Sequence, residues 1–265
     1  MGGGIAQVVA ASGRRVSLHD PYPGALERAL RTMRRSLERL AEKGGADPDA
    51  TLARVTLAET LVPADLMIEA ITEDVDAKVE IFRRADASLP PASILASNTS
   101  SIPITSLAAA TSRPANVVGM HFFNPVPVLK LVEVIRAVQT SDETAAAIVD
   151  LARDLGKEPA EARDFPGFIS NRILMPFINE AAYAVMEGVG DAEAIDRVAK
   201  LGFAHPMGPL ALADLIGLDT CVAIMEVLHR GLGAPKYAPC PLLRQYVQAG
   251  RLGRKSGRGF YEYPS

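Results

Sequence analysis

The sequence predicts an α/β protein in which a doubly wound parallel sheet occupies residues 1–164 and an all-helical domain occupies residues 165–265. Three observations carry that reading. Between residue 5 and about residue 137, short β-rich runs alternate with helical ones, the pattern of βα units around a parallel sheet. Several of these runs are apolar at both parities, as strands covered on both faces are. From Pro166-Gly167 onward only helical periodicity remains, and helices alone after a strand-bearing region mark a second domain.

Taken in order, the chain opens on Met1-Gly2-Gly3-Gly4 and runs directly into the helical pattern Ile5-Ala6-Gln7-Val8-Val9-Ala10. Arg15 to Asp20 reads as a strand ending in an acid. Leu26, Leu30, Met33, Leu37 and Leu40 recur at helical spacing until Gly44-Gly45 stops the helix. Further strands are expected at 54–57, 66–71, 94–97, 117–122 and 131–136. Ser141-Asp142-Glu143 supplies an N-cap and first-turn acids for a helix ending at Gly156, and a short extended piece follows. Long helices are expected at 168–187, 191–201 and 209–231, with a shorter one at 240–249. No repeat and no low-complexity tract interrupts this plan.

Composition removes several function classes. Twenty-eight basic against thirty-one acidic residues leave a net charge of −3, which offers no global attraction for nucleic acid. Cys221 and Cys240 fit no metal-ligand spacing and are too few for a disulfide framework, so they read as packing residues of a reducing compartment, with no metal site. No run reaches the ~18 to 20 apolar residues of a membrane span, and residues 1–13 lack the pattern of a signal peptide. The expectation is a cytoplasmic protein with no membrane partner.

Gly2, Gly3 and Gly4, then a helix, then a strand ending in Asp20, have the shape of the back half of the dinucleotide fingerprint of a Rossmann-type sheet; a flexible start is the alternative. Glycines let a pyrophosphate approach the helix N-terminus, and the later acid bonds the ribose 2′-hydroxyl. A carboxylate there repels a 2′-phosphate, which favours NAD over NADP. Of four histidines, His19 falls in a strand, His205 before a proline and His229 near a helix end, all with structural explanations. His121 stands in Gly119-Met120-His121-Phe122-Phe123-Asn124-Pro125, at the carboxyl end of an expected parallel strand, where α/β sheets place ligands. Glu133, inside the apolar run Leu131-Val132-Glu133-Val134-Ile135, needs a partner if buried. A His–Glu pair is either a general base with its orienting acid or a structural pair. Ser97-Asn98-Thr99-Ser100-Ser101 clusters hydrogen-bonding groups after another strand, as a helix cap or as a site. Asn171 and Arg172 open the helical domain as caps or interdomain contacts. Arg28, Arg31, Arg34, Arg35, Arg39 and Lys43 form either a solvated helix face or a phosphate site.

Through nearly its whole length the chain resembles the 3-hydroxyacyl-CoA dehydrogenase family. The motifs are Ser97 to Ser101, His121 to Pro127 continuing to Glu133, Pro166-Gly167-Phe168 with Asn171-Arg172, Pro206-Met207-Gly208-Pro209 with Gly217-Leu218-Asp219, and Lys255 to Tyr261. The resemblance implies NAD-dependent oxidation of (S)-3-hydroxyacyl-CoA thioesters, the chemistry of fatty-acid β-oxidation, with His121 as base and Glu133 orienting it. It implies that Ser100, Asn124 and Asn171 bond the reacting oxygens or the nicotinamide end. It places Gly2, Gly4, Asp20, Glu73, Lys78 and Lys255 at NAD, and Ser36, Lys43 and Ser100 at coenzyme A. It also implies a homodimer through the helical domain. Two rivals remain: a non-catalytic relative with a defective cofactor site, and a dehydrogenase of a free 3-hydroxy acid. Met1-Gly2 matches only the last two positions of Gly-x-Gly-x-x-Gly. The natural protein is therefore expected to be longer by about one strand, a central one whose absence exposes its neighbours' edges and halves the pyrophosphate cradle.

Overall fold

A computed structural model describes residues 1–264 in two units, Met1–Asp164 and the remainder from Phe165. The first unit runs α1 (Gly2–Ala11), β1 (Val16–His19), α2 (Ala25–Ala41), α3 (Pro48–Leu52), β2 (Val55–Ala58), β3 (Leu66–Glu69), α4 (Val75–Ser88), β4 (Ile94–Ser97), α5 (Ile104–Ala109), β5 (Val117–Phe122), β6 (Leu131–Arg136), α6 (Asp142–Asp154) and β7 (Glu158–Arg163). Side chains start these helices as the residue types require: Asp47, Asp74 and Ser141 accept the N–H of Ala50, Ala77 and Thr144, satisfying donors the helix leaves unpaired.

The strands form two sheets, β1-β2 and β3-β4-β5-β6-β7. All pairings are parallel except β5 with β6. That exception departs from the all-parallel expectation, and its reason is length: residues 123–130 are too few for the crossover of about a dozen residues that parallel neighbours need. No strand pairing joins β1 to β3 among the described residues. Leu66, Met67 and Ile68 of β3 and Leu18 of β1 are half-buried, whereas β5 is buried throughout. The core lies where α1 and α6 cover the sheet: Ile5, Val118, Met120, Phe122, Val132, Val134, Ile148 and Val149 share one cluster, with Val8, Val9, Leu66 and Ile68 packed against it.

The second unit holds α7 (Ser170–Met186), α8 (Ala192–Gly202), α9 (Pro209–Ile216), α10 (Leu218–Leu232) and α11 (Pro241–Gln248). The single helix expected at 209–231 is two, because Gly217 takes φ 104°, a value that breaks the helix and suits glycine. Met175, Ile178, Ala213, Leu218, Met225 and Leu228 are among its core residues.

Two buried carboxylates fasten the C-terminal segment to these helices. Asp196 accepts the N–H of Leu210 and Ala211 and the Tyr261 hydroxyl. Asp214 accepts the N–H of Phe260 and Tyr261 and the Tyr263 hydroxyl. Gly259 makes the second clamp possible, since a Cβ there would stand 1.9 Å from Asp214 Oδ1. Gly259→Ala is therefore expected to destabilise the second unit by about 1–3 kcal/mol, read as a lower urea midpoint. An unchanged midpoint would mean that the segment yields without loss.

Candidate active site

Antiparallel pairing sets His121 of β5 directly opposite Glu133 of β6. Side chains that face each other across such a pair are within reach, and His121 Nδ1 lies 2.8 Å from Glu133 Oε2. Both are buried, Glu133 at 1% exposure among Val132, Val134 and Ile135. Two residues before the histidine, Gly119 admits Ile135 and Ile104, since a Cβ at this position would come within 2.8 Å of Ile135 Cβ. Phe123 packs on the imidazole with ring centroids 4.7 Å apart.

The segment after β4 is tied to the same strand end: Asn98 Oδ1 accepts the N–H of Phe122 at 2.8 Å. Glu73 organises the rest of it. Its Oε1 accepts from the Thr99 hydroxyl at 2.6 Å and from the N–H of Ser100 and Ser101, with both serine hydroxyls within 3.1 Å. Burial pushes the Glu73 carboxyl up, but the Thr99 hydrogen bond, the Lys78 charge and the Ser100 and Ser101 bonds together outweigh it and hold the pKa below its ordinary value.

Behind this segment lies a fully desolvated ion pair. Lys78 Nζ is 2.6 Å from Glu69 Oε1 and 3.5 Å from Glu73 Oε2, and the Lys78 and Glu69 side chains are each 1% exposed. Glu69 also accepts from the Ile71 N–H and the Ser97 hydroxyl, both at 2.6 Å, so the buried charge is hydrogen-bonded on both oxygens. Lys78, which the resemblance places at the cofactor, has its ammonium within reach of both Glu69 and Glu73. Glu69 is a functional neighbour that motif and spacing do not single out; its signal in the sequence is an acid closing an apolar strand nine residues before a helical lysine.

At the other end of the unit, α1 begins at Gly2 without a side-chain cap. Its glycines are also packing residues. A Cβ on Gly3 would sit 3.4 Å from Ala29 Cβ, and one on Gly4 would sit 3.1 Å from Val126 Cβ. The Gly4 N–H already donates to the Met1 carbonyl, which leaves the side-chain-free first positions of the helix to fit the pyrophosphate of NAD. Asp20 follows β1, is exposed and accepts the Tyr22 N–H. Ser36 on α2 accepts from Gln7 Nε2 of α1 at 3.0 Å, while Lys43 and the arginines of α2 stay exposed. Asn124 is exposed in the β5–β6 loop.

Asn171 and Lys255 belong to the second unit. Asn171 is buried in the first turn of α7, and Lys255 pairs with Asp219 at 2.6 Å. No cluster of metal-ligating residues occurs among the described residues. Cys221 and Cys240 are both buried, and burial pushes the Cys221 thiol up to about 12, which leaves it unreactive. His19 bonds the Ala58 carbonyl, and His205 packs on Phe177 and Phe203.

Residues 1–165 match the NAD binding domain of 3-hydroxyacyl-CoA dehydrogenase and residues 167–263 match the C-terminal domain of the same enzymes. The chain belongs to the 3-hydroxyacyl-CoA dehydrogenase family. It is 57% identical over 269 residues to the "Probable 3-hydroxybutyryl-CoA dehydrogenase" of Bacillus subtilis, covering 99% of this chain and 94% of that one. Human mitochondrial hydroxyacyl-coenzyme A dehydrogenase is 42% identical over 276 residues, covering 99% and 88%. The crystal structure of (S)-3-hydroxybutyryl-CoA dehydrogenase from Ralstonia eutropha superposes with a TM-score of 0.96 at 48% identity, covering 100% of this chain and 96% of that one. This dehydrogenase uses NAD to oxidise 3-hydroxyacyl-CoA thioesters.

The depressed Glu73 pKa sets a sign for pH dependence. Between the folded value and the ordinary 4.5, the unfolded chain binds the proton that the folded chain does not, so stability falls as pH falls through that window. Urea unfolding of the dehydrogenase and of Glu73→Gln should show a smaller acid-side loss in the variant. Equal losses would remove Glu73 as a source of the acid sensitivity.

Proposed function

We propose that His121 is the general base of the dehydrogenase and Glu133 the acid that orients it. The 2.8 Å bond between His121 Nδ1 and Glu133 Oε2 carries the reading. A carboxylate buried to 1% exposure is best satisfied by a donor. The bond therefore favours the tautomer protonated on Nδ1, with Nε2 as the accepting atom. Nε2 takes the proton of the substrate's 3-hydroxyl, and Glu133 stabilises the imidazolium that results. The NAD held by this chain would supply the acceptor for the hydride leaving C3.

Other residues of this chain hold the reactants. Gly2 to Gly4 at the start of α1, with Asp20, receive the pyrophosphate and ribose of NAD. Ser100 and Asn124, with Asn171 from the helical unit, bond the reacting oxygens or the nicotinamide. Glu73 fixes the Ser100 segment, and Lys78 fixes Glu73. Lys255 completes the cofactor contacts, and Ser36 and Lys43 on the basic helix face coenzyme A. Relatives named for 3-hydroxybutyryl-CoA support a short-chain thioester as substrate. A cytoplasmic enzyme of fatty-acid β-oxidation is the setting we infer.

His121→Gln and Glu133→Gln are each expected to lower turnover by ~10²-fold or more while NAD binding is kept. NADH formation should occur with 3-hydroxybutyryl-CoA and not with free 3-hydroxybutyrate. Near-wild-type turnover of either folded variant would defeat the assignment, and activity on the free acid alone would defeat the thioester.

The helical unit is proposed to pair with a second copy. Val189, Val198, Leu201 and Phe203 are 56–80% exposed, and an apolar groove of about 350 Å³ lined by Phe177, Ala181 and Val198 lies beside them. An exposed apolar surface of this kind marks an association site. Val198→Asp combined with Leu201→Asp should sediment as a monomer; a persisting dimer would place the interface elsewhere.

A further inference from the structure

Lys157 is a buried amine that the mechanism above does not use. It stands at 7% exposure, and no carboxylate among the described residues lies within ion-pair distance. Its ammonium donates instead to two backbone carbonyls, those of Val126 and Leu129, the latter at 2.8 Å. Burial without a counter-ion pushes its pKa down.

The backbone of Lys157 is itself held from both sides. Gly156, at φ 70°, and Lys157 return their N–H groups to Arg153 and Ala152, closing α6 with a Schellman motif. The next residue, Glu158, donates to the Lys130 carbonyl and starts β7. The side chain therefore projects from a fixed base into residues 123–130.

That segment has little of its own to hold it. Pro125 and Pro127 remove two N–H donors, and both Val128 and Leu129 donate to the same Pro125 carbonyl. Val126 is 2% exposed, so its carbonyl needs an internal donor. The segment also links three parts of the site. It joins the strand of His121 to the strand of Glu133, it carries Asn124, and through Val126 it packs on Gly4 at the start of α1.

We propose that Lys157 is a positioning residue: by holding the Val126 and Leu129 carbonyls it fixes the 123–130 loop, and with it the placement of Asn124. The proposal rests on the reading of His121 and Asn124 as active-site residues. A donor with three N–H groups on a long stem bridges two carbonyls that no backbone group among the described residues reaches, and small misplacements of a reacting geometry are costly in rate.

The test uses Lys157→Met, which keeps the length and apolar bulk and donates nothing. In the folded variant, amide exchange in the 123–130 peptide should rise by about tenfold or more with β4 and α7 unchanged. Turnover should fall by about tenfold while the Kd for AMP, which lacks the nicotinamide half, stays within about twofold. Unchanged loop exchange overturns the proposal, as does an equal loss of AMP and NAD affinity, which would signal general loosening. His121→Gln is measured alongside: if it keeps turnover, the catalytic reading fails while loop exchange still decides the part played by Lys157. Should Lys157→Met not fold, the same measurements on Lys157→Gln, a shorter donor, are read with the same expected direction and the same overturning result.

Discussion

One reversal of strand direction governs the rest of the site. Because β5 and β6 run antiparallel in a sheet that is otherwise parallel, His121 and Glu133 are cross-strand partners. Side chains alternate faces along a strand, so a slip of one residue would move His121 away from its acid and carry Met120 out of the core. Packing on both faces forbids that slip. Val118, Met120 and Phe122 lock into Val132 and Val134 on one side, and the missing side chain of Gly119 receives Ile135 on the other. The pair is thus set by apolar shape, and the carboxylate is placed where only a donor makes its burial tolerable.

Charge is handled differently on the β3–β4 side. There Lys78 lies between Glu69 and Glu73, and each carboxylate spends its remaining capacity on backbone N–H groups and hydroxyls. A buried pair of this kind adds little stability relative to apolar packing, but losing one partner strands the other. Its consequence is geometric: the Ser97–Ser101 segment has one conformation because Glu73 gathers its donors, and Asn98 ties that conformation to Phe122 beside the histidine. Two polar devices, one ionic and one an amide, hold loops from different strand ends in mutual register.

Much of this was legible in the sequence because the signals are local. The strands at 94–97, 117–122 and 131–136 announce themselves by β-rich apolar runs, and Ser141 caps its helix as its residue type requires. His121 and Glu133 stood out because a histidine in a strand end and an acid in an apolar run are each anomalous alone. What escaped depends on the third dimension. The direction of β6 rests on loop length, which periodicity does not weigh. The break at Gly217 looks like an ordinary helical glycine until its φ is known. Glu69 and Lys157 are unremarkable residue types whose importance comes from which buried acceptor or donor lies opposite, and no spacing rule reports that.

The paired carboxylates of the second unit have a consequence for how it comes apart. Asp196 and Asp214 each gather two backbone N–H groups and a tyrosine hydroxyl, and the donors come from α9 and from residues 260–263. Peeling that segment away would strip both acids of donors at once. Residues 259–263 therefore open together with α8 and α9, which denies a protease the gradual fraying it exploits in a loosely tied segment.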